Sequence, residues 1–339
     1  MKIAPNHSRD LASSTAGEAA INPDSRRSGD LTFNHRRSPL SFRLASHLLG
    51  MTILGLFHAA LAVIPVSAQH PKPVSSLRVY VMDCGLLKRG DPMERFSLTM
   101  EKVGGVPDFA DPCILVVHPR GTILWDTGMI PDAEVQPGVD VPPAPSKYSR
   151  SGAIGPTVVN RTLKSQLAEI GYAPSDITYL ILSHSHVDHA ANANDYAGST
   201  WIVQRAERDF MFDDKRRTSP DFAHYSALEH SKKMLLDGDY DVFGDGRVVL
   251  KSTPGHSPGH QSMFLKLAKT GPVFITGDLY HYTVERTSKT TPTDDFNKEQ
   301  DLASRAAMEK FIKSTGAQVW VQHDLRQNRT LKKSPAYYD

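Results

Sequence analysis

Four potential metal ligands lie within six residues near the middle of the chain. The segment YLILSHSHVDHA contains His184, His186, Asp188 and His189 directly after a run of apolar residues. Imidazole nitrogens and a carboxylate oxygen at this spacing can reach one or two cations with little cost in chain ordering. A single histidine is more often a satisfied structural residue. Four clustered donors after an apolar strand instead predict a metal site.

Three later segments supply further candidate ligands. KSTPGHSPGHQS contains His256 and His260, FITGDLYHY contains Asp278, and VWVQHD contains His323. Each follows a predicted strand, so the side chains can meet at the carboxyl edge of a sheet, where α/β proteins place ligands. Three histidines with an open position form a catalytic zinc site, and a carboxylate between two such sets can bridge two ions.

The elements that position these residues are predicted from apolar runs and periodicity. Helical periodicity occurs over 159–170, 221–236 and 300–312. Short β-branched runs predict strands at 77–82, 114–117, 122–125, 178–182, 201–203, 248–250, 263–267, 273–276 and 319–321. Strands that first pair and then alternate with helices indicate an α/β fold with layered sheets. The proline-rich stretch 128–156 predicts a long loop.

The order of these motifs resembles the metallo-β-lactamase superfamily. HSHVDH is followed by the GH of TPGHSPGH, by Asp278 in TGD and by His323. The segments DPCILVVHPRGTILWDTG, WIVQRAE and TPGHSPGHQSMF resemble dinuclear N-acyl homoserine lactonases, which are quorum-quenching enzymes. The resemblance implies an αβ/βα four-layer sandwich, with residues 69–339 as one hydrolase domain. It also implies opening of the lactone ring of N-acyl homoserine lactones by a metal-bridging hydroxide.

The resemblance assigns a role to each candidate ligand. It implies two divalent metal ions, zinc in first place, with manganese, cobalt or iron as alternatives. The implied ligands are His184, His186 and His256 for the first metal, Asp188, His189 and His323 for the second, and Asp278 as the bridge. Asp188 would also pass a proton to the departing alkoxide. His260 is expected beside the site rather than on a metal.

One position departs from the lactonase pattern. Relatives often have a tyrosine three residues after the bridging aspartate, where it hydrogen-bonds the lactone carbonyl. This chain has His281 there, flanked by Tyr280 and Tyr282. His281 is the first candidate for the oxyanion helper and the two tyrosines are the second, while the alternative is that all three only line the loop.

Other functions remain open on the same ligand set. Arylesterase, organophosphate hydrolase and β-lactamase activities are alternatives within the hydrolases. A non-hydrolytic diiron redox module is a more remote alternative. Such relatives place an acidic residue within the first motif, whereas every position of the motif here has a hydrolase-like ligand. The implied partner is a small molecule, an acyl lactone or ester. We expect no nucleic-acid partner, and no stable membrane association once the N-terminal signal peptide described below has been cleaved. A homodimer is compatible with the sequence.

Two further motifs suggest other hydrolases. Gly255–Gly259 fits the G-x-S-x-G pattern of a serine-hydrolase elbow, but an elbow needs a helix directly after the serine, and HQSMFLKL reads as a strand. Asp126-Thr127-Gly128 resembles an aspartic-protease loop, but the dyad needs two copies. The superfamily resemblance gives Asp126 a structural role near the metals.

The N-terminal region differs in character from the rest of the chain. The chain has 339 residues and a formal charge of +2, with no basic stripe that would suggest nucleic-acid binding. Residues 1–68 are predicted to be a disordered extension plus a signal peptide, in which 44–68 has no charged residue and ends in the cleavage-type sequence Val66-Ser67-Ala68. We therefore expect a secreted or periplasmic protein; the alternatives for 44–68 are an uncleaved membrane anchor and a buried core helix. Cys84 and Cys113 are either disulfide-bonded or two buried thiols.

Overall fold

The computed structural model describes residues 74–136 and 157–339. The predicted signal peptide and most of the predicted 128–156 loop lie outside these residues. Over the described part of the chain, no helix combines the length and apolar character needed to cross a membrane.

Two β-sheets form the centre of the fold. The seven-stranded sheet has the order β4-β1-β2-β3-β5-β6-β7, and the five-stranded sheet has the order β12-β11-β10-β9-β8. The strands of the first sheet are β1 (Arg78–Leu87), β2 (Phe109–His118), β3 (Gly121–Trp125), β4 (Thr157–Val158), β5 (Tyr179–Ile181), β6 (Thr200–Gln204) and β7 (Lys233–Leu236). Those of the second are β8 (Tyr240–Asp241), β9 (Val248–Ser252), β10 (Gln261–Leu267), β11 (Gly271–Ile275) and β12 (Gln318–Trp320).

Helices cover the outer faces of both sheets. The α-helices are α1 (Met93–Phe96), α2 (Leu163–Glu169), α3 (Val187–Ala190), α4 (Arg205–Met211), α5 (Asp214–Arg217), α6 (Phe222–Tyr225), α7 (Lys298–Thr315) and α8 (Leu325–Asn328). Short 3₁₀ turns occupy Asp132–Glu134, Pro174–Asp176, Ala193–Tyr196, Ser226–His230, Gly277–Leu279 and Thr283–Arg286. Helix α7 begins at the side chain of Asn297, which accepts the Gln300 N–H, and ends at Gly316 in the left-handed conformation.

Alternating side chains of the central strands build two separate cores. In β2, Ile114 and Val116 face the space between the sheets, where they join Val248 and Leu265 of the other sheet. Cys113, Leu115 and Val117 face the opposite side and pack with the helices there. A third cluster places Phe264 and Phe274 against Met308 and Ile312 of α7. The layers are therefore helix, sheet, sheet and helix, and the predicted four-layer α/β sandwich is confirmed.

One predicted helix is wrong in its second half. The periodicity over 221–236 predicts a single helix, whereas α6 and a 3₁₀ turn end at His230 and the chain then forms β7. Strand β7 pairs in parallel with β6, with Leu235 opposite Val203. This segment forms a strand because it pairs with β6, which is distant in the sequence. Local periodicity carries no information about such a pairing.

Candidate metal centre

The loop after β5 brings four predicted ligands to one edge of the first sheet. Strand β5 ends at Ile181, and the chain then turns through His184 and His186 into helix α3. The Ser183 N–H donates to the Asp126 carboxylate at 2.6 Å, which fixes the start of the turn against the end of β3. Asp126 itself has a positive φ of 58°. Since β3 and β5 are parallel, both loops leave the sheet at the same edge.

Three loops of the second sheet supply the remaining ligands. His256 follows β9, Asp278 follows β11 and His323 follows β12. Gly255 lies against the start of α7, because a Cβ at this position would be 2.2 Å from the backbone nitrogen of Asp301. Only glycine permits that approach, so the residue before His256 sets how closely its loop packs on α7.

The first group of ligands consists of His184, His186, His256 and Asp278, whose ligand atoms all lie within 4.8 Å of one another. His256 Nε2 is 3.2 Å from His186 Nδ1. Asp278 Oδ2 is 3.3 Å from His256 Nε2 and 3.7 Å from His184 Nε2. Three imidazoles and one carboxylate therefore converge on one point.

The second group consists of Asp188, His189 and His323. Asp278 Oδ1 is 3.1 Å from His189 Nε2 and 3.0 Å from His323 Nε2. Asp188 Oδ2 lies 3.8 Å from His323 Nε2. The two oxygens of Asp278 thus face different groups, which is the arrangement of a carboxylate between two cations.

Three of the histidines are oriented through the ring nitrogen that faces away from the site. His189 Nδ1 is 2.9 Å from Asp126 Oδ2, and His256 Nδ1 is 2.8 Å from Asp295 Oδ1. His323 Nδ1 donates to the carbonyl oxygen of Ala110 at 2.8 Å. Such outer partners fix the ring and direct the remaining nitrogen towards a metal.

The protonation states of His184, His186 and Asp278 fit a divalent cation. Burial lowers the pKa of His184 well below its ordinary value and that of His186 to about 3, so both rings keep free lone pairs at neutral pH. Against the effect of burial, His323 and His189 hold the pKa of Asp278 well below its usual range. Within the described residues, His184 Nε2 and Asp278 Oδ1 are buried without a hydrogen-bond partner. A bound cation would satisfy both atoms.

His256 differs from these two histidines. Burial alone would lower its pKa, but hydrogen bonds to Asp278 and Asp295 raise it to about 10. A cation that binds at His256 therefore replaces a proton.

Residues 107–311 match the metallo-beta-lactamase superfamily. The chain belongs to this superfamily. It is 26% identical over 283 residues to the N-acyl homoserine lactonase AttM of Azorhizobium caulinodans, covering 78% of this chain and all of the relative. An N-acyl homoserine lactonase of Bacillus sp is 31% identical over 229 residues, covering 66% of this chain and 85% of the relative.

Solved structures show the same likeness. One is an N-acyl homoserine lactone hydrolase with the product N-hexanoyl-L-homoserine bound at its catalytic metal centre. It superposes with a TM-score of 0.63 and 26% identity over 78% of this chain and all of that chain. The predicted resemblance to the metallo-β-lactamase superfamily and its lactonases is confirmed, and membership of this family agrees with divalent metal binding at the two groups.

The structure separates His281 from its two tyrosine neighbours. His281 Nε2 lies 3.2 Å from Asp278 Oδ2. The Tyr280 hydroxyl instead donates to Glu309, and the Tyr282 hydroxyl donates to the carbonyl oxygen of Pro107 at 2.7 Å. Of the three candidates for the oxyanion helper, the structure brings only the ring of His281 to the ligand groups.

His260 lies beside the two ligand groups, as expected. Its Nδ1 donates to the Thr253 carbonyl oxygen, and its Nε2 accepts the Asp278 N–H at 2.9 Å. Burial lowers its pKa to about 3, so the ring is neutral and can accept. His260 therefore holds the backbone of Asp278.

The serine-hydrolase and aspartic-protease motifs have other roles. Ser257 donates its hydroxyl to Glu207 at 2.6 Å, and the chain enters strand β10 at Gln261 rather than a helix. Asp126 accepts the Ser183 N–H and contacts His189, which is a structural role. The cysteines match no ligand position, and the structure joins Cys84 to Cys113 in a disulfide.

Several residues around the site were not found from the sequence. They are Asp295 behind His256, Gln322, whose amide donates to Asp126 at 2.9 Å, and Glu207 between two ligand loops. Asp295 is 39 residues from its histidine. A single acid or amide at such a distance has no spacing signal; only the resemblance of WIVQRAE to lactonases pointed towards Glu207.

Proposed function

We propose that this protein is a metal-dependent hydrolase that opens the lactone ring of N-acyl homoserine lactones. The observation that carries the proposal is the carboxylate of Asp278, whose two oxygens face two separate ligand groups. The lactonase relatives, one of them solved with an acyl homoserine at its metal centre, support the choice of substrate.

The proposed cofactor is a pair of divalent ions, zinc in first place. His184, His186 and His256 would hold one ion, Asp188, His189 and His323 the other, and Asp278 would contact both. When bound, such a pair lowers the pKa of water and polarises a carbonyl group. Imidazole and carboxylate ligands also accept manganese, cobalt or iron.

Two side chains around the ligand groups have separate roles in the proposed reaction. Asp188 is 16% exposed while Asp278 is 3% exposed, so Asp188 is the carboxylate that can reach substrate. We assign to it a proton shuttle, in which the Asp188 carboxylate takes the proton that the attacking water loses and passes it to the ring oxygen as that oxygen leaves. We assign to His281 Nε2 the hydrogen bond to the lactone carbonyl oxygen, because it lies on the Asp278 Oδ2 side of the site.

The test is ring opening of N-hexanoyl homoserine lactone by metal-loaded protein. We expect turnover with two bound ions per chain, and loss of turnover in Asp278→Asn and His186→Ala proteins. His230→Ala is the matched control, because this histidine is exposed and away from both groups. Protein that holds two ions yet leaves the lactone intact contradicts the proposal. Turnover of an aryl ester, phosphotriester or β-lactam instead, or electron transfer by bound iron, would assign one of the alternative functions.

We also propose that the protein is exported and that residues 1–68 are removed near Ala68. The support is the uncharged apolar segment 44–68 with its small-residue end and the disulfide of the mature chain. Assembly as a homodimer stays a prediction.

A further inference from the structure

Glu207 is a buried acid outside both ligand groups. It lies in the first turn of α4, directly after β6, and is 2% exposed. A carboxylate in the interior needs several hydrogen-bond donors to offset the loss of water. The identity of those donors shows what the residue does.

The Glu207 carboxylate accepts hydrogen bonds from both loops that carry the first group of ligands. Oε1 accepts the backbone N–H of Ser185 at 2.8 Å, and Ser185 lies between His184 and His186. Oε2 accepts the hydroxyl of Ser257 at 2.6 Å and the backbone N–H of Gly259 at 2.8 Å. Ser257 directly follows His256. One carboxylate therefore joins the ligand loop of the first sheet to the His256 loop of the second.

The His256 loop is also pressed against the start of α4. A Cβ at Gly259 would lie 2.4 Å from the backbone nitrogen of Glu207. On its other side, the loop contacts α7 through Gly255. These two close approaches leave the loop little freedom, and the Glu207 carboxylate sets its distance from the histidines of the first sheet.

We propose that Glu207 is a positioning residue that holds His184, His186 and His256 at the separation needed to bind the first metal ion. The second group depends on other contacts, namely Asp126 behind His189 and Ala110 behind His323. The proposal rests on metal binding at these groups, which is part of the proposed function, but not on the choice of substrate. Loss of Glu207 should therefore weaken one metal site and spare the other.

The test measures Co²⁺ binding at each group separately. His323→Ala protein retains the first group, and His256→Ala protein retains the second. Glu207→Gln is added to each, because glutamine keeps the size but replaces one accepting oxygen by an amide nitrogen. Outer partners of metal ligands contribute about 10–100-fold to affinity. We expect a loss of that size in the His323→Ala background and no change in the His256→Ala background, by calorimetry and visible absorption.

Two further variants keep the test decisive. Asp241→Asn is the matched control, because Asp241 also accepts backbone N–H groups, those of Phe243, Gly244 and Gly246 in a turn of the second sheet. It should change neither affinity. Ser257→Ala removes one donor to Glu207 and should weaken Co²⁺ binding at the first group in the same direction. It replaces Glu207→Gln if that variant does not fold.

Equal losses of affinity at both groups, or no loss at the first, would overturn the proposal. Lactone turnover does not enter the measurement, so failure of the substrate assignment would leave this result intact.

Discussion

His281 is the residue that distinguishes this site from the lactonase pattern. Its ring is fully buried and lies between aromatic neighbours, with Phe96 at 4.9 Å and Phe109 at 5.6 Å between ring centroids. The backbone N–H groups of His281 and Tyr282 both donate to Glu285, and Glu285 pairs with the buried Arg305. The imidazole is therefore held rigidly with Nε2 directed at the ligand groups.

Replacing His281 by phenylalanine should impair catalysis without removing metal. Phenylalanine keeps the packing against Phe96 and Phe109 but has no N–H to donate to a carbonyl oxygen. Loss of one such donor costs about 100–1,000-fold in rate. We expect His281→Phe to lose that much in kcat/KM on N-hexanoyl homoserine lactone while its metal content stays at two ions per chain.

Tyr282→Phe is the comparison for His281→Phe. Its hydroxyl bonds the Pro107 carbonyl oxygen, so its loss should cost about 1 kcal/mol of stability and leave turnover unchanged. Unchanged turnover in His281→Phe, or a large loss in Tyr282→Phe, would refute this assignment.

Residue type and spacing predicted which residues meet in the two groups but not the residues that support them. His184, His186, Asp188 and His189 are recognisable because four donors stand together in six residues. Glu207 and Asp295 meet the site only through the folded chain, 50 and 39 residues from Ser257 and His256. Hydrogen bonds over such distances leave no periodic signal in the sequence.

At the scale of elements, apolar runs located most of the strands but did not predict their order in the sheets. The run CILVVH is apolar without alternation because both faces of β2 are buried, which is typical of a central strand. Strand β7 was missed because its edge position beside β6 is a property of the sheet. Once the strands are located, the positions of the ligand loops follow from them. The order in which the strands pair cannot be read from the apolar runs.

The disulfide between β1 and β2 gives a prediction at this scale. Cys84 lies where the register between the two strands shifts, and the sequence separation from Cys113 is 29 residues. Closing a loop of this length stabilises a fold by about 3–4 kcal/mol in the chain-entropy account. We expect Cys84→Ala/Cys113→Ala protein to lose that much free energy of unfolding, measured with denaturant.

Reductant serves as the control for this measurement. It should destabilise the wild-type protein and leave the double variant unaffected. Two free thiols in denatured, unreduced wild-type protein would show that the bond does not form.

For the whole molecule, the excess of positive charge lies in residues 1–68. Residues 1–68 contain seven basic and four acidic residues, so the net +2 of the precursor comes from the segment that we propose is removed. The remaining enzyme is close to neutral. A neutral acyl lactone would then be bound by burial and metal contact rather than by long-range charge attraction.

Export predicts the start of the mature protein. Expressed with its own N-terminus, the chain should be recovered outside the cytoplasm with Gln69 as its first residue, by N-terminal sequencing and intact mass. Ala68→Arg should block cleavage, because the site requires a small residue. Recovery of the full-length chain in the membrane fraction would instead indicate an uncleaved anchor.

Each ligand group takes side chains from both sheets of the sandwich. His186 and His189 come from loops of the first sheet, while His256 and His323 come from loops of the second. Neither complete set exists until the sheets have packed together, so the HSHVDH segment alone offers a cation only part of each set. Full coordination of a cation at either group therefore requires both sheets to be folded. On the export that we propose, the metal supply of the compartment in which the chain folds, rather than that of the compartment in which it is synthesised, would determine which ion the two groups hold.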